Sequence, residues 1–469
     1  MTDSANPLDL LSDALDQSGE GFVELRYHGR TTRSVAVEKG RVDQARTSEH
    51  AGVGVRVLAD GTWGFASTDE LEVDAVRSAI ASARSAAKAS AAARKERIPE
   101  LPAVELARGE WTEDGWEEAQ ARPVEQALEL VLGVEAQTRG QSSSVTSASC
   151  AYTELFEDKA LVTSDGARAR VRLVRPEFRI SAVASGEGEL QRGARSLGAT
   201  GGWECLFQRA RAEQLGEEAA QVAVDLLKAG YPEGGRKRVL LSPALVGLLT
   251  HEAIGHTVEA DFVEAGSCAR GKLGQTVASE LVTLCDSGAS EYYAGAGGSL
   301  PVDDEGVPTQ RTVIIEGGVL KSYLHNRESA ARAGVAPTGN ARAWEYQSEP
   351  LIRMRNTYID AGDTSLDELI AQTADGYLLD GAANGQADSN GEFMFGTTEA
   401  YAVRDGKRGP LMRGVNISGR AFDVLATVSG VSSEFRWDLG AGFCGKGQPA
   451  KVDAGGPWLA CEVLVGGRQ

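Results

Sequence analysis

Histidine is scarce in this chain, with five copies among 469 residues. Cysteine is scarce as well. Its six copies, at 150, 205, 268, 285, 444 and 461, nowhere form a Cys-x-x-Cys pair. That spacing argues against a disulfide framework and against a four-thiolate zinc finger, so most of them read as small buried hydrophobes. Positive charge is outweighed: 48 Lys and Arg against 67 Asp and Glu leave a net charge of −19. Such a chain is expected to repel phosphate backbones and anionic lipid, so neither nucleic acid nor a membrane is an expected partner. Long hydrophobic runs are missing too, the longest being Val239 to Leu249, too short to span a bilayer. Met1 to Pro7 lack a basic segment followed by an apolar one, so no secretory signal is read there and a soluble, cytoplasmic protein is expected. No internal repeat is visible.

What is present is organised around Ser242-Pro-Ala-Leu-Val-Gly-Leu-Leu-Thr-His-Glu-Ala-Ile-Gly-His256, which holds His251 and His256 with Glu252 between them. Ser242 is expected to cap a helix, Pro243 suits its first position, and Leu245, Leu248 and Leu249 recur at the spacing of a buried helical face. Metal-binding His-Glu-x-x-His segments separate their histidines by four residues, which on a helix of about 100° per residue leaves the rings only about 40° apart. Here the offset is five, and a regular helix would swing the second ring about 140° away. A π-bulge would return it to the same side, and Gly255 is expected to ease that distortion. On the bare string, a core helix with two ordinarily hydrogen-bonded histidines is the competing reading.

Along the chain, Pro7 to Gln17 reads as an amphipathic helix and Phe22 to Tyr27 as a strand. A hairpin follows, Gly52–Leu58 and Thr62–Ala66, turning on Ala59-Asp60-Gly61. Glu72 to Lys95 is an Ala-rich helix, and the acidic run from Pro99 and Pro102 to Glu118 reads as a surface linker. A helix from Pro123 to Ala136, strands from Ser142 to Ala184 and a helix from Glu204 to Lys228 complete the first half, in which nothing looks catalytic. Gly230-Tyr-Pro-Glu-Gly-Gly235 is the expected boundary. Beyond it lie a hairpin over Arg311 to Tyr323, strands over Leu351 to Ile359 and Phe393 to Val403, a helix over Thr364 to Thr373 and a closing strand from Trp458 to Val465. The loops Pro301 to Gln310 and Pro337 to Tyr346 are long enough that they are expected to serve a site. The fold class is therefore α+β: an N-terminal α/β domain over 1–232 and a β-rich C-terminal domain over 233–469 that carries the histidine helix.

His251-Glu-Ala-Ile-Gly-His-Thr-Val-Glu-Ala-Asp-Phe262, Val302-Asp-Asp-Glu-Gly-Val-Pro308, Pro337-Thr-Gly-Asn340, Arg353-Met-Arg-Asn-Thr-Tyr358 and Cys444-Gly-Lys-Gly-Gln448 together resemble the TldD/PmbA family of zinc metallopeptidases. Gly52 to Ser67 also resembles its N-terminal hairpin, so the likeness runs over nearly the whole chain. The segment after Cys444 is one acidic residue shorter than the family's usual run, and Ala260 stands where glycine is common. The resemblance implies the TldD-type subunit, with zinc held by His251, His256 and Cys444 and with Glu252 as the catalytic carboxylate. It also implies pairing with a metal-free PmbA/TldE-type paralogue, or a second copy, to enclose a channel for small or unfolded peptides.

Two neutral imidazoles and a thiolate would leave zinc an open position for water, as catalytic rather than structural sites do. Glu252, beside a ligand, would take the proton of the attacking water and pass it to the leaving amine. By local spacing Glu259 competes as third ligand, or serves as partner to a ligating histidine; Asp261 reads the same way. His28, His50 and His325 read as plain surface or strand histidines, and Asn356 as structural. Two further readings stay open: a hydrolase using Cys444 as nucleophile, and a non-catalytic peptide-binding scaffold. A peptide could be held through its backbone along a sheet edge of the second domain.

Overall fold

The computed structural model describes residues 6–466 apart from Gln17, Glu96, Pro99 and Glu187. The expectations for Met1 to Ala5, for the helix end at Gln17 and for Pro99 lie outside the described residues. Seven strands form the first sheet: β1 (Phe22–Glu38), β2 (Arg41–Ala59), β3 (Thr62–Thr68), β4 (Arg108–Thr112), β5 (Val145–Thr163), β6 (Arg168–Gly186) and β7 (Glu189–Gly198). Their order is β3-β2-β1-β5-β6, with β4 and β7 both pairing with β6, and only the β4 pairing is parallel.

Because side chains alternate across a strand, Phe22-Val-Glu-Leu-Arg-Tyr-His-Gly-Arg30 divides β1 into an apolar and a charged face. Val23 and Leu25, with Val53, Val55 and Val57 of β2, are buried against the helices Pro7–Leu15 and Val73–Ala93. The alanines of the second helix allow a close approach, at which a Cβ on Gly64 would overlap the Ala83 carbonyl. Farther along, Val35, Val37, Tyr152 and Phe178 pack with residues of the helices Val124–Gly140 and Ala212–Leu226. The charged face holds Glu24, Arg26, His28, Arg30, Glu157 and Arg175, and it too is buried, because the second half of the chain covers it.

Two first-half expectations change. The stretch 204–228 is two helices, Trp203–Phe207 and Ala212–Leu226, interrupted where Arg209 donates to the carbonyls of Trp437 (3.0 Å) and Gly295 (3.2 Å). The acidic linker contains β4 and a short helix, Trp116–Ala121, whose Trp116 packs edge-on against Phe156.

The second half contains β8 (Gly235–Leu241), β9 (Leu284–Ser287), β10 (Thr312–Glu316), β11 (Val319–Leu320), β12 (Ala341–Arg342), β13 (Leu351–Ile352), β14 (Asn356–Ile359), β15 (Gly376–Ala387), β16 (Glu392–Arg404), β17 (Lys407–Met412), β18 (Asn416–Arg420), β19 (Gly430–Trp437), β20 (Phe443–Gly445), β21 (Pro449–Lys451) and β22 (Asp453–Gly466). Strands β8, β15, β16, β18 and β22 pair in sequence, and β22 returns to β8, so the five close into a ring. Closure removes free edges where the strands meet. From β22 the sheet continues through β14, β9, β10 and β11. The histidine helix packs against β22, β15 and β14, with Leu245, Val246, Leu249, Ala253 and Ile254 in the largest apolar core.

The strand expected over Leu351–Ile359 is broken at residues 353–355, where arginines turn inward: Arg355 reaches Asp286 at 2.8 Å, and Arg353 donates to the carbonyls of Gln448 and Cys444, both at 2.7 Å. The loop Pro301–Gln310 joins the halves: Glu305 accepts from Arg56 at 2.6 Å and Asp304 pairs with Lys159 at 3.0 Å. No helix among the described residues is long and apolar enough to cross a membrane.

Candidate metal centre

The helix that starts at Pro243 changes pitch at Leu249 and runs as a π-helix to Gly255. Its hydrogen bonds there span five residues, and the His256 amide donates to the His251 carbonyl. A wider turn of this kind brings the fifth residue under the first, as the offset of the two histidines requires. The imidazole centroids lie 5.3 Å apart with their planes at 83°. Gly255 has an ordinary helical φ of −53°, so backbone freedom is not why it is glycine. A side chain there would collide with the Met354 sulfur packed against the helix. Ser242 does not cap the helix with its hydroxyl; instead Oγ accepts from the Gly381 amide at 3.3 Å.

Cys444 arrives from far along the chain on β20, which pairs with β21 in a short hairpin. Its sulfur lies 3.1 Å from His256 Nε2. One donor atom each from His251, His256 and Cys444 lie within 4.8 Å of one another, the one such three-residue cluster found among the described residues. His251 is 2 % exposed, and neither of its ring nitrogens has a hydrogen-bond partner among the described residues. A buried polar group without a partner is costly, and the His251 nitrogen that lies in the cluster is placed to give its lone pair to a bound cation. Two nitrogens and a sulfur form a donor set that suits zinc, so the residues present fit the metal that the resemblance implies.

The electrostatics agree. Burial alone would raise the Cys444 thiol, yet the two imidazoles hold it down at about 4. Burial works against protonation of His256, yet hydrogen bonds to Cys444 and Glu259, with their charges, lift it to about 10. For His251, burial is likewise overcome by the negative charge of Cys444, and the ring is raised. The arrangement thus favours a thiolate at Cys444 with positive charge beside it, the charge pattern that a bound divalent cation would also satisfy.

Glu259 is not a member of the donor cluster. Its Oε2 accepts from His256 Nδ1 at 3.0 Å, which turns Nε2 toward Cys444. Burial would raise this carboxyl, but His256 and Lys446 hold it below its usual range. Asp261 also stands outside the cluster and pairs with Lys446 at 2.7 Å. Glu252 Oε2 is 3.9 Å from His256 Nε2 and its side chain is 33 % exposed, so a carboxylate borders the cluster on its solvent side. His28 and His325 are buried: the first stands 3.3 Å from Glu157 and the second has Nδ1 3.0 Å from Ser329 Oγ; His50 is exposed. Asn356 is structural, accepting from the Gly298 amide at 2.9 Å. Sequence reasoning missed Lys446 and Arg353 as supports of the cluster, although both lie inside the quoted motifs.

Three family profiles match the chain: PmbA/TldA metallopeptidase domain 1 over residues 23–87, the central domain over 117–227 and the C-terminal domain over 234–467. A metalloprotease of Methanothermobacter thermautotrophicus is 35 % identical over 454 residues, 95 % of each chain. A zinc metalloprotease TldD homolog of Saccharolobus solfataricus is 38 % identical over 246 residues, 52 % of this chain and 54 % of its own. Among solved structures, TldE of Thermococcus kodakarensis superposes with a TM-score of 0.79 at 19 % identity, covering 98 % of this chain and 99 % of that one.

Proposed function

The chain belongs to the TldD/PmbA family of metallopeptidases, and from that premise we propose that it hydrolyses peptide bonds with zinc held by His251, His256 and Cys444. The observation that carries the reading is the convergence of one donor atom each from the buried His251, from His256 and from Cys444, all within 4.8 Å of one another. The name of the Saccharolobus relative supports the choice of zinc. When bound, zinc supplies a Lewis acid that polarises a carbonyl and makes water acidic near neutral pH. The protein's own residues do the rest. Glu259 fixes the ring of His256 through Nδ1, and Glu252, on the solvent side, takes the proton of the attacking water and delivers it to the leaving amine.

Substrate peptides are held through their backbone. Along β15 only Tyr377 to Leu379 pair with β8, and from Ala382 onward that edge has no strand partner among the described residues. Gly385 on this stretch lies against Leu248, one helical turn before Glu252. A metal-free TldE-type partner, or a second copy, closes a channel over small or unfolded peptides; the likeness to TldE supports that pairing. We read the chain as two units, 1–232 and 233–469, with the chemistry confined to the second.

A cysteine hydrolase is less well supported: a thiol nucleophile needs one imidazole, whereas two converge here, and Cys444 is 4 % exposed. A non-catalytic scaffold gives Glu252 no task. The test is metal analysis of the purified protein with peptide cleavage before and after chelation. One zinc per chain and cleavage lost with the metal are expected. Full activity after exhaustive metal removal, abolished by thiol alkylation, would transfer the chemistry to Cys444.

A further inference from the structure

Lys446 opens the turn that joins β20 to β21, two residues after Cys444, and its side chain reaches the residues that follow the histidine helix. Its ammonium has three acceptors, one for each proton: Glu259 Oε2 at 3.0 Å, Asp261 Oδ1 at 2.8 Å and the Ile352 carbonyl at 3.0 Å. The side chain is 11 % exposed, and Nζ lies 4.5 Å from the centre of the Phe262 ring. The Glu259 oxygen that takes the lysine is the one that takes His256 Nδ1, and its other oxygen has no partner among the described residues.

We propose that Lys446 is a positioning residue for the metal centre, whose ammonium sets the placement of Cys444 and the ring orientation of His256 together by bridging the cysteine hairpin to Glu259. This rests on the zinc reading above. The hairpin backbone has its own anchor in Arg353, which holds the carbonyls of Cys444 and Gln448. That anchor ties it to β13 and β14, not to the helix. Lys446 supplies the link to the helix side: through Glu259 it reaches one donor residue, and from the turn two residues beyond Cys444 it holds another. An uncharged side chain at 446 would leave Glu259 in the interior with His256 Nδ1 as its one side-chain partner, and free to rotate. That rotation releases Nδ1 and lets the ring turn.

The test uses the full chain, with zinc and with cobalt(II) as a spectroscopic probe. Lys446→Met is expected to fold, with the metal-free protein unfolding at the parental temperature, and to bind zinc about 10–100-fold more weakly, the range that outer partners of metal ligands carry. Its cobalt form should show a shifted or weakened thiolate charge-transfer band. Glu259→Gln should do the same, and the double variant should be little worse than either single one, because both act through one bridge. Lys446→Arg, which keeps a cation within reach of both carboxylates, should recover most of the affinity. Parental zinc affinity and an unaltered cobalt band in Lys446→Met would overturn the proposal. So would a loss shared by Lys446→Met and Lys446→Arg and accompanied by a lower unfolding temperature without metal, which marks a structural role alone. If Lys446→Met does not fold, Lys446→Gln is read by the same criteria. A parent chain that binds neither metal would defeat the zinc reading itself, a result distinct from a parent that binds zinc and a variant that binds it equally well.

Discussion

Between the two sheets, Arg56 meets Glu24 at 2.8 Å and Glu305 at 2.6 Å, Lys159 meets Asp304 at 3.0 Å, and Arg175 meets Glu157 at 3.2 Å. At the histidine cluster, by contrast, His251 is equally buried and has no hydrogen-bond partner at either nitrogen among the described residues. The first region buries opposite charges that face each other in pairs. The second gathers nitrogen and sulfur donors from two distant segments around one point. Burial of charge thus does not by itself mark a functional site; a convergence of metal-type donors does.

If that contrast is right, substitutions in the two regions should affect different quantities. The largest effect is expected for Glu252→Gln, which removes the base and no proposed ligand. Turnover should fall by about 10²–10⁴-fold with zinc content and unfolding temperature unchanged, and full activity in this variant would end the proposed mechanism. Glu305→Gln should do the reverse. It strips Arg56 of one of two carboxylates in the interior while Glu24 remains, so a loss of stability of about 1–3 kcal/mol by denaturant titration is expected, without change in zinc stoichiometry. Gly255→Ala places a methyl against Met354 and should cost about 1–3 kcal/mol, most of it returned in Gly255→Ala/Met354→Ala. Equal losses in the single and double variants would remove the packing explanation for the glycine.

The smallest effect separates the regions by pH. Burial holds His28 in its neutral form, with its pKa lowered from 6.5 to about 4. A depressed histidine contributes stability that is complete above its unfolded value and declines as pH falls toward the folded one. Glu157 beside it, desolvated but held well below its usual range by Arg175 and His28, also loses its contribution as pH falls. Stability should therefore decline between about pH 6.5 and 4, and His28→Gln should flatten part of that slope. An identical slope in the variant would assign the decline to other groups.

The histidine helix was legible because its information is local. Pro243, the leucine spacing and the offset of five between His251 and His256 dictate a buried helix that must widen, and it does so over Leu249–Gly255. The cysteine was legible only through the motif it sits in, since 188 residues separate it from His256. Lys446 was not legible as a support, because its three acceptors lie on other segments. Nor was the use of the charged face of β1: Glu24, Arg26, His28 and Arg30 alternate as a solvated face would, and only the second half of the chain decides that they are covered. The hydroxyl of Ser242 is another case: it is engaged by the amide of Gly381, on a strand far along the chain, and not by the helix.

The position of Cys444 in the order of strands has a consequence for how the protein is made. During synthesis the histidines emerge early in the second half, but the sulfur follows nineteen of the twenty-two strands among the described residues and shortly precedes β22, which closes the ring onto β8. A chain interrupted before that point holds His251 and His256 without the thiolate, and its ring of strands stands open. On the zinc reading proposed above, the third donor and the strand that closes the ring are supplied by neighbouring segments, so a chain interrupted earlier in the second half lacks both.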